Sequence, residues 1–117
     1  MPSTIFKHFY ERNDLPIVCS FSGAVRGIQW KVALDMLDYH HYLPVFFEGL
    51  RETDDPMVFL ADKGTDDLLK QGGEKILPVL PQLILPIKSA LQTKRKETVV
   101  KTLKKIQLLV RSHEAVA

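Results

Sequence analysis

The segment from Gly72 to Leu91, GGEKILPVLPQLILPIKSAL, constrains the fold more than any other part of the chain. It places Pro78, Pro81 and Pro86 inside an almost continuous apolar run. A proline in a helix interior removes a backbone hydrogen bond and costs about 3 kcal/mol. Such a pattern is typical of a bent or broken helix that is packed on both sides by other helices. The segment therefore predicts a role in packing rather than in catalysis.

Size and composition fit one soluble intracellular domain. The 117 residues are 45% hydrophobic, which is enough for a core. The single cysteine, Cys19, excludes an internal disulfide. The N-terminal residues carry charges where a signal peptide would be apolar. The longest apolar run, interrupted by Gln82 and the prolines, is too short for a membrane span. We expect no membrane association.

Charge divides unevenly along the chain. Residues Glu48 to Glu74 contain eight acids and three bases, whereas Lys88 to Arg111 contain eight bases and one acid, Glu97. The overall net charge of +2 hides this division. An acidic middle and a basic C-terminal third inform about partners rather than about the fold.

The first 36 residues predict a short helix followed by a β-hairpin. Ser3 is a candidate cap for a helix from Thr4 to about Arg12. Leu15 to Phe21 and Val25 to Val32 predict two strands joined by a turn at residues 22–24. An isolated hairpin is only marginally stable in water, so this one must lie against the helices or against a partner.

Residues 37–117 predict helices. Leu43, Phe46, Phe47 and Leu50 form an apolar stripe at helical spacing. Asp55-Pro56 predicts a helix start, with the acid as cap and the proline in the first turn.

Gly64 predicts the end of that helix at Lys63, and Thr65 predicts the cap of another from Asp66 to Gln71. The proline-containing helix from Glu74 to Gln92 and a last helix from Glu97 to Arg111 follow. The last helix has apolar residues on more than one face, so it needs a neighbour on each side.

These helix lengths and the proline placement predict an all-α fold. We expect an α-solenoid of stacked helices, as in HEAT or armadillo repeats, in residues 37–117, with the small β-hairpin in residues 1–36. The sequence shows no clean period of about 40 to 47 residues, so the solenoid prediction depends on the helices alone.

No pattern predicts an enzyme, a cofactor or a metal. The glycines match neither a phosphate-binding loop nor a dinucleotide fingerprint. Neighbouring residues such as His40 and His41 point about 100° apart on a helix, so both cannot ligate one ion without distortion. The acid pairs Asp54-Asp55 and Asp66-Asp67 are explained by capping at predicted helix starts.

Two sets of residues are candidate contacts with partners. Trp30 is either a core residue or an interface anchor on the hairpin, and Tyr39, His40, His41 and Tyr42 form a polar-aromatic surface. The basic candidates are Lys94, Arg95, Lys96, Lys101, Lys104 and Lys105.

The basic set has two interpretations. It is either an ordinary solvated face or a surface for an acidic protein, a phosphate backbone or an anionic lipid. Nucleic-acid sites usually interleave aromatic residues for stacking. No aromatic residue follows Phe59, which favours an acidic protein and disfavours nucleic acid.

Two long motifs resemble the parkin co-regulated protein family. They are LDYHHYLPVFFEGLRET (Leu37 to Thr53) and GGEKILPVLPQLILPIKSAL (Gly72 to Leu91). FKHFYERNDLPIV (Phe6 to Val18) and the IQWKV that contains Trp30 are similar to the same family, in the same order. The resemblance extends from about Ile5 to about Ser112.

The resemblance implies a non-catalytic protein of the cytoplasmic cytoskeleton, in the axoneme of cilia and flagella. Family members are α-solenoids at the inner junction between the A- and B-tubules of doublet microtubules. The implied partners are alpha- and beta-tubulin and a second inner-junction protein. Tubulin is strongly acidic, which would give the basic set a binding role. The family domain also continues beyond the position of Ala117. The alternative function is a soluble helical-repeat adaptor that binds a single partner protein.

Overall fold

The computed structural model describes residues 4–22 and 25–116, and it describes side-chain environments for residues 4–19 and 27–111. These residues form a mostly helical fold with one small antiparallel sheet, as the sequence predicts. The elements in chain order are α1 (Ile5–Glu11), β1 (Ile17–Ser22), β2 (Val25–Trp30), α2 (Tyr39–Glu48), α3 (Met57–Gln71), α4 (Leu80–Gln92) and α5 (Lys96–Val116). Short 3-10 turns occupy Leu34–Met36, Gly49–Arg51, Gly73–Lys75 and Leu77–Val79.

Helix α1 begins at a threonine cap. Thr4 has an extended backbone, and its side-chain oxygen accepts a hydrogen bond from the Lys7 amide at 3.1 Å. This contact satisfies one of the amides that a helix start leaves unpaired. Thr4 therefore has the capping role that the sequence assigned to Ser3, which lies outside the described residues.

The two strands form the predicted hairpin. They pair antiparallel from Ile17 opposite Trp30 to Ser22 opposite Val25. Strand β2 ends at Trp30, so Val32 is not on it, contrary to the prediction, and is 43% exposed. The central residues of the predicted turn, Gly23 and Ala24, lie outside the described residues.

Helix α3 is one continuous helix, whereas the sequence predicts two. Gly64 does not end it, because that residue allows the close approach of the Phe46 ring from α2. A Cβ atom at Gly64 would lie 2.3 Å from the ring carbon Cε2 of Phe46. Thr65 is not a cap: its buried hydroxyl donates to the Ala61 carbonyl at 2.6 Å, within the helix.

The start of α3 also differs from the prediction. The helix begins at Met57, Pro56 takes the capping position, and no side chain caps the first amides. The predicted end is confirmed, because Gln71 is followed by Gly72 and by Gly73 with φ +52°. That left-handed conformation favours glycine.

The proline-rich segment forms two short turns and then a helix. Pro78 lies in the second 3-10 turn, and Pro81 lies in the first turn of α4, where its missing amide leaves no bond unmade. Pro86 is inside α4 and buried. One face of α4 packs on α2 and α5, but Ile84 and Leu85 on the other face are 64% and 72% exposed. Within the described residues the segment is thus packed on one side, not on both.

The core lies between α1, α2, α3 and α4. Phe6 is completely buried, and so are Leu43, Phe46 and Phe47 on α2 and Leu50 in the 3-10 turn that follows, which confirms that the predicted stripe lies in the core. The rings of Phe6 and Phe46 meet edge to face at 5.2 Å. No helix among the described residues has both the length and the apolar content that a bilayer crossing requires.

Candidate functional site

The predicted basic set divides into buried and exposed members. Lys94, Lys96 and Lys104 are exposed, Lys101 and Arg95 are half-buried, and Lys105 is only 3% exposed. Lys105 is therefore part of the interior and not of a basic surface. Lys101 and Lys105, four residues apart, lie on one face of α5, where Lys101 is half-buried and Lys105 is buried, whereas Lys104 is about 100° further round the helix from Lys105 and is exposed.

Lys105 joins α5 to α3 through two carboxylates. Its Nζ lies 2.5 Å from Oδ1 of Asp62 and 2.6 Å from Oδ1 of Asp66. Asp62 and Asp66 are four residues apart, so they lie on one face of α3. Burying a lysine costs several kcal/mol unless it is paired, and two acids compensate for that cost here.

The spacing of the acids in the sequence is a signal for this contact. The sequence predicts Asp66 and Asp67 at the start of a separate helix, but both lie in the second half of α3. On a continuous helix, the i, i+4 spacing of Asp62 and Asp66 indicates a paired acidic face. The helix boundary predicted at Gly64 is wrong; with a boundary there, Asp62 and Asp66 would belong to two different helices and would not share a face.

Other polar side chains in α5, and Arg95 just before it, are also partly or completely buried. Thr98 and Thr102 are buried, and the Thr102 hydroxyl donates to the Thr98 carbonyl at 2.7 Å. Arg95 Nη2 donates to the Arg51 carbonyl at 2.5 Å. Burial lowers the pKa of Lys101; nearby Asp62 acts against this shift, and Lys105 and Arg95 add to it.

Lys94 and Lys96 lie on both sides of Arg95, where α4 passes into α5. Lys94 has a φ of +57° in this short connection, and Lys96 is the first residue of α5. Lys104 lies two turns further along the helix. No ion pair involves these three lysines among the residues that the structure describes. They are thus available to an external acidic surface.

Trp30 has an internal role in the described fold. Its indole Nε1 donates to Oδ2 of Asp67 at 3.0 Å, and its ring lies 5.7 Å from that of Phe46. The side chain is half-buried and fixes the hairpin onto α3. These contacts agree with the core interpretation, while the exposed remainder of the side chain leaves room for a partner.

The polar-aromatic set also divides. Tyr39 is 3% exposed and is therefore not a surface residue; its hydroxyl donates to the Leu68 carbonyl at 2.9 Å. Burial, with a smaller contribution from Asp67, raises the pKa of Tyr39 to about 12. His40 and His41 are exposed, and Tyr42 is half-buried against the His41 ring at 4.5 Å. A surface at this position would consist of His40, His41 and Tyr42.

Among the side chains that the structure describes, no three His, Cys, Asp or Glu residues are grouped so that they could hold a metal ion. The described fold and its polar groups define a class: a small, mostly helical domain with a hairpin and with a set of exposed lysines at the start of its last helix.

Comparison with known sequences gives the family within that class. The family described as "Parkin co-regulated protein" matches residues 4–117, so the chain belongs to the parkin co-regulated protein family. It is similar to the mouse (Mus musculus) protein named "Parkin coregulated gene protein homolog", with 50% identity over 113 residues. The match covers 97% of this chain and 47% of the mouse protein, so the chain spans about half the length of that relative. The family is not known as an enzyme family.

Proposed function

We propose that this protein is a structural microtubule-associated protein of the ciliary and flagellar axoneme. In this role it binds alpha- and beta-tubulin at the inner junction between the A- and B-tubules, next to a second inner-junction protein. The helices of residues 37–117 stack as part of an α-solenoid and supply a stiff block rather than a reactive centre. The family membership and the exposed lysines support this proposal.

One observation carries the tubulin contact. Lys94 and Lys96 are exposed, have no ion pair among the described residues and lie in a stretch whose only acid is Glu97. A single exposed ion pair contributes about 1 kcal/mol or less. A lattice repeats the same site many times, so that many weak contacts together become effective.

Co-sedimentation with taxol-stabilised microtubules tests the proposal. We expect saturable pelleting that weakens from low to physiological salt, because salt screens exposed charges. The double variant Lys94→Glu/Lys96→Glu should lose most of the pelleting. The matched control is Lys31→Glu/Lys70→Glu, which makes the same change of net charge at two exposed lysines elsewhere.

Three results would count against the proposal in different ways. Pelleting that survives Lys94→Glu/Lys96→Glu would exclude the lysine contact. An equal loss in both double variants would indicate a dependence on net charge only. Absence of pelleting at low salt would favour the alternative function, a helical-repeat adaptor for a single partner protein.

A further inference from the structure

A small polar cavity lies between the start of α5 and the start of α3. Its volume is about 270 Å³, and we call it the α5 cavity. Pockets for drug-sized ligands usually measure about 300–1,000 Å³, so this one suits a single side chain or a small ion. Both sides contribute lining residues, which are Glu52, Thr53 and Val58 on one side and Arg95, Glu97, Thr98 and Lys101 on the other.

Lys101 is a half-buried lysine in the wall of this cavity. It forms no ion pair with any residue that the structure describes. Asp62, which acts on it electrostatically, is already paired with Lys105 at 2.5 Å. Glu97 has the i, i+4 spacing of a helical ion pair with Lys101, but that contact is not formed. A charge that is partly removed from water and left unpaired favours the binding of an external anion.

The Thr98 hydroxyl is a second donor in the cavity wall. Thr98 is only 3% exposed, and its Oγ1 accepts a hydrogen bond from Arg95 Nε at 3.4 Å. The hydroxyls of Thr65 and Thr102 donate to the carbonyls four residues earlier in their helices. Thr98 makes no such bond within the described residues, because the corresponding residue, Lys94, has a φ of +57° and lies before the helix. The proton of the Thr98 hydroxyl is therefore left for a ligand.

The charges around the α5 cavity favour a carboxylate over a more highly charged anion. Two cations, Arg95 and Lys101, line the cavity together with two acids, Glu52 and Glu97. Oε2 of Glu52 accepts a hydrogen bond from the Thr4 hydroxyl at 2.5 Å, and Glu97 is exposed to solvent. A phosphate group carries a charge of about −1.5 to −2, so both acids would repel it more strongly than a singly charged carboxylate.

We propose that the α5 cavity binds one carboxylate side chain of an acidic protein partner. Lys101 pairs with the carboxylate, and the Thr98 hydroxyl donates a hydrogen bond to it. The first amides of α5 have no acceptor within the helix and add the positive end of its dipole.

The exposed lysines on both sides of Arg95 complement this binding. Lys94 and Lys96 attract the acidic segment that carries the carboxylate, whereas the cavity holds one of its side chains. The inference deepens the proposed function and rests on it for the acidic surface of the partner. It adds a defined docking point to a contact that exposed lysines alone would leave unspecific.

The probe for the test is a short, fluorescently labelled peptide of alternating glutamate and glycine. Fluorescence anisotropy at low salt should show saturable binding to this protein. A peptide with glutamine in place of every glutamate should not bind, because it carries no carboxylate. The measurement needs no microtubules, so it is independent of pelleting.

Matched variants locate the binding site. Lys101→Gln should weaken peptide binding about tenfold, because it removes a charged donor. Its circular-dichroism melt should stay nearly unchanged, since no ion pair of the described fold is lost. Thr98→Val keeps the shape of the side chain and should weaken binding about fivefold, the equivalent of one hydrogen bond. Thr98→Ser restores a hydroxyl and should recover most of the binding. The control Lys70→Gln removes the same charge at an exposed lysine and should change binding by about twofold or less.

Chemical labelling checks the location without any substitution. An N-hydroxysuccinimide ester acylates accessible lysine amines, and mass spectrometry then reports which of them a ligand covers. The glutamate peptide should protect Lys101, whereas Lys31 and Lys70 should react as in the free protein. Inorganic phosphate should displace the peptide no better than acetate does at equal ionic strength.

Four outcomes would overturn the inference. Peptide binding that survives both Lys101→Gln and Thr98→Val would place the site elsewhere. An equal loss for Lys101→Gln and Lys70→Gln would indicate a dependence on net charge only. Better displacement by phosphate than by acetate would make the ligand a phosphate group. Glu97→Gln should tighten peptide binding, because it removes an acid beside the bound carboxylate; a loss of stability without tighter binding would make Glu97 the internal partner of Lys101.

Pelleting and peptide binding together separate the two proposals. Peptide binding that requires Lys101, without microtubule pelleting, would support the α5 cavity and remove only tubulin as the partner. Pelleting that requires Lys94 and Lys96, without peptide binding, would remove the cavity and leave the lysine contact.

Discussion

Helix α3 contacts its neighbours through two chemically different sides. Towards α2 it presents Gly64, against which the ring of Phe46 packs so closely that a Cβ atom would overlap it. Towards α5 it presents Asp62 and Asp66, which bind the ammonium group of Lys105. The first side is apolar and depends on shape, whereas the second is ionic and depends on charge balance.

The difference shows how one helix can specify the positions of two others. Close packing penalises any change of volume, so the α2 side fixes the distance between the helices. A buried lysine must remain near its acids, so the α5 side fixes the rotation of α5 about its own axis. That rotation turns Lys105 inward and leaves Val100, Leu103 and Val110 exposed. The ionic side of α3 therefore determines which surface α5 presents to solvent.

The largest effect is expected on the apolar side. Phe46→Ala removes a fully buried ring that also contacts Phe6 and Trp30, and it should destabilise the protein by about 3–5 kcal/mol in urea unfolding. Gly64→Ala should cost about 1–3 kcal/mol through overpacking, although alanine is the better helix former.

A double-mutant cycle separates shape from helix propensity. With Phe46→Leu as background, the added methyl group of Gly64→Ala has room, so this second change should become neutral or stabilise by up to about 1 kcal/mol. If Gly64→Ala costs the same in both backgrounds, close contact with Phe46 is not the reason for the glycine.

A smaller but still large effect is expected on the ionic side. Lys105→Glu would place a third carboxylate beside Asp62 and Asp66 and should cost about 3 kcal/mol or more. Lys105→Met should cost less, about 1–2 kcal/mol, because the side chains of Asp62 and Asp66 are 41% and 28% exposed and remain partly hydrated.

Two further variants check the charge argument by thermal or urea unfolding. Asp62→Asn/Asp66→Asn combined with Lys105→Met should recover most of the loss, since no charge is then left without a partner. Lys104→Glu changes the neighbouring, exposed lysine and should stay within about 0.5 kcal/mol of the unaltered protein. An equal loss for Lys104→Glu and Lys105→Glu would mean that Lys105 is not buried between its acids.

The sequence predicted much of the fold because local signals were consistent there. The apolar stripe of α2, the hairpin, and the helix end at Gly72-Gly73 all follow from spacing and turn chemistry. The break predicted inside α3 was wrong, because a glycine can be selected by a tertiary contact as well as by a helix end. Nothing near Gly64 in the sequence indicates that a ring from α2 will lie on it.

The candidate site was predictable only in part, for the same physical reason. Exposed lysines near residues 94–96 follow from the charge run alone. The burial of Lys105 and Tyr39 does not, because it depends on acceptors that other helices supply: Asp62 and Asp66 for the lysine, the Leu68 carbonyl for the tyrosine. The helical pattern predicts on which face of a helix a residue lies. Whether a polar group on that face can be buried depends on the acceptors that the neighbouring helix supplies.

The smallest predicted effect concerns the polar contact between Tyr39 and Leu68 within the otherwise apolar side of α3. Tyr39→Phe removes the hydroxyl that donates to the Leu68 carbonyl and should cost about 1 kcal/mol near neutral pH. The pKa of Tyr39 is raised from 10.0 to about 12, so the folded state keeps the proton longer than the unfolded chain. The stabilisation linked to this proton is complete below pH 10 and is lost as the pH rises towards 12.

Urea unfolding from pH 8 to 12 should therefore show a steeper alkaline loss of stability for the unaltered protein than for Tyr39→Phe. Lys101 has a lowered pKa, so its contribution to the free energy of unfolding rises with pH in the alkaline range. Lys101 is present in both proteins, so this contribution cancels in the comparison. Parallel curves of unfolding free energy against pH would mean that the Tyr39 hydroxyl is hydrated in the folded protein and not bonded to the Leu68 carbonyl. The α2 side of α3 would then depend on shape alone, and the contrast with the ionic α5 side would be complete.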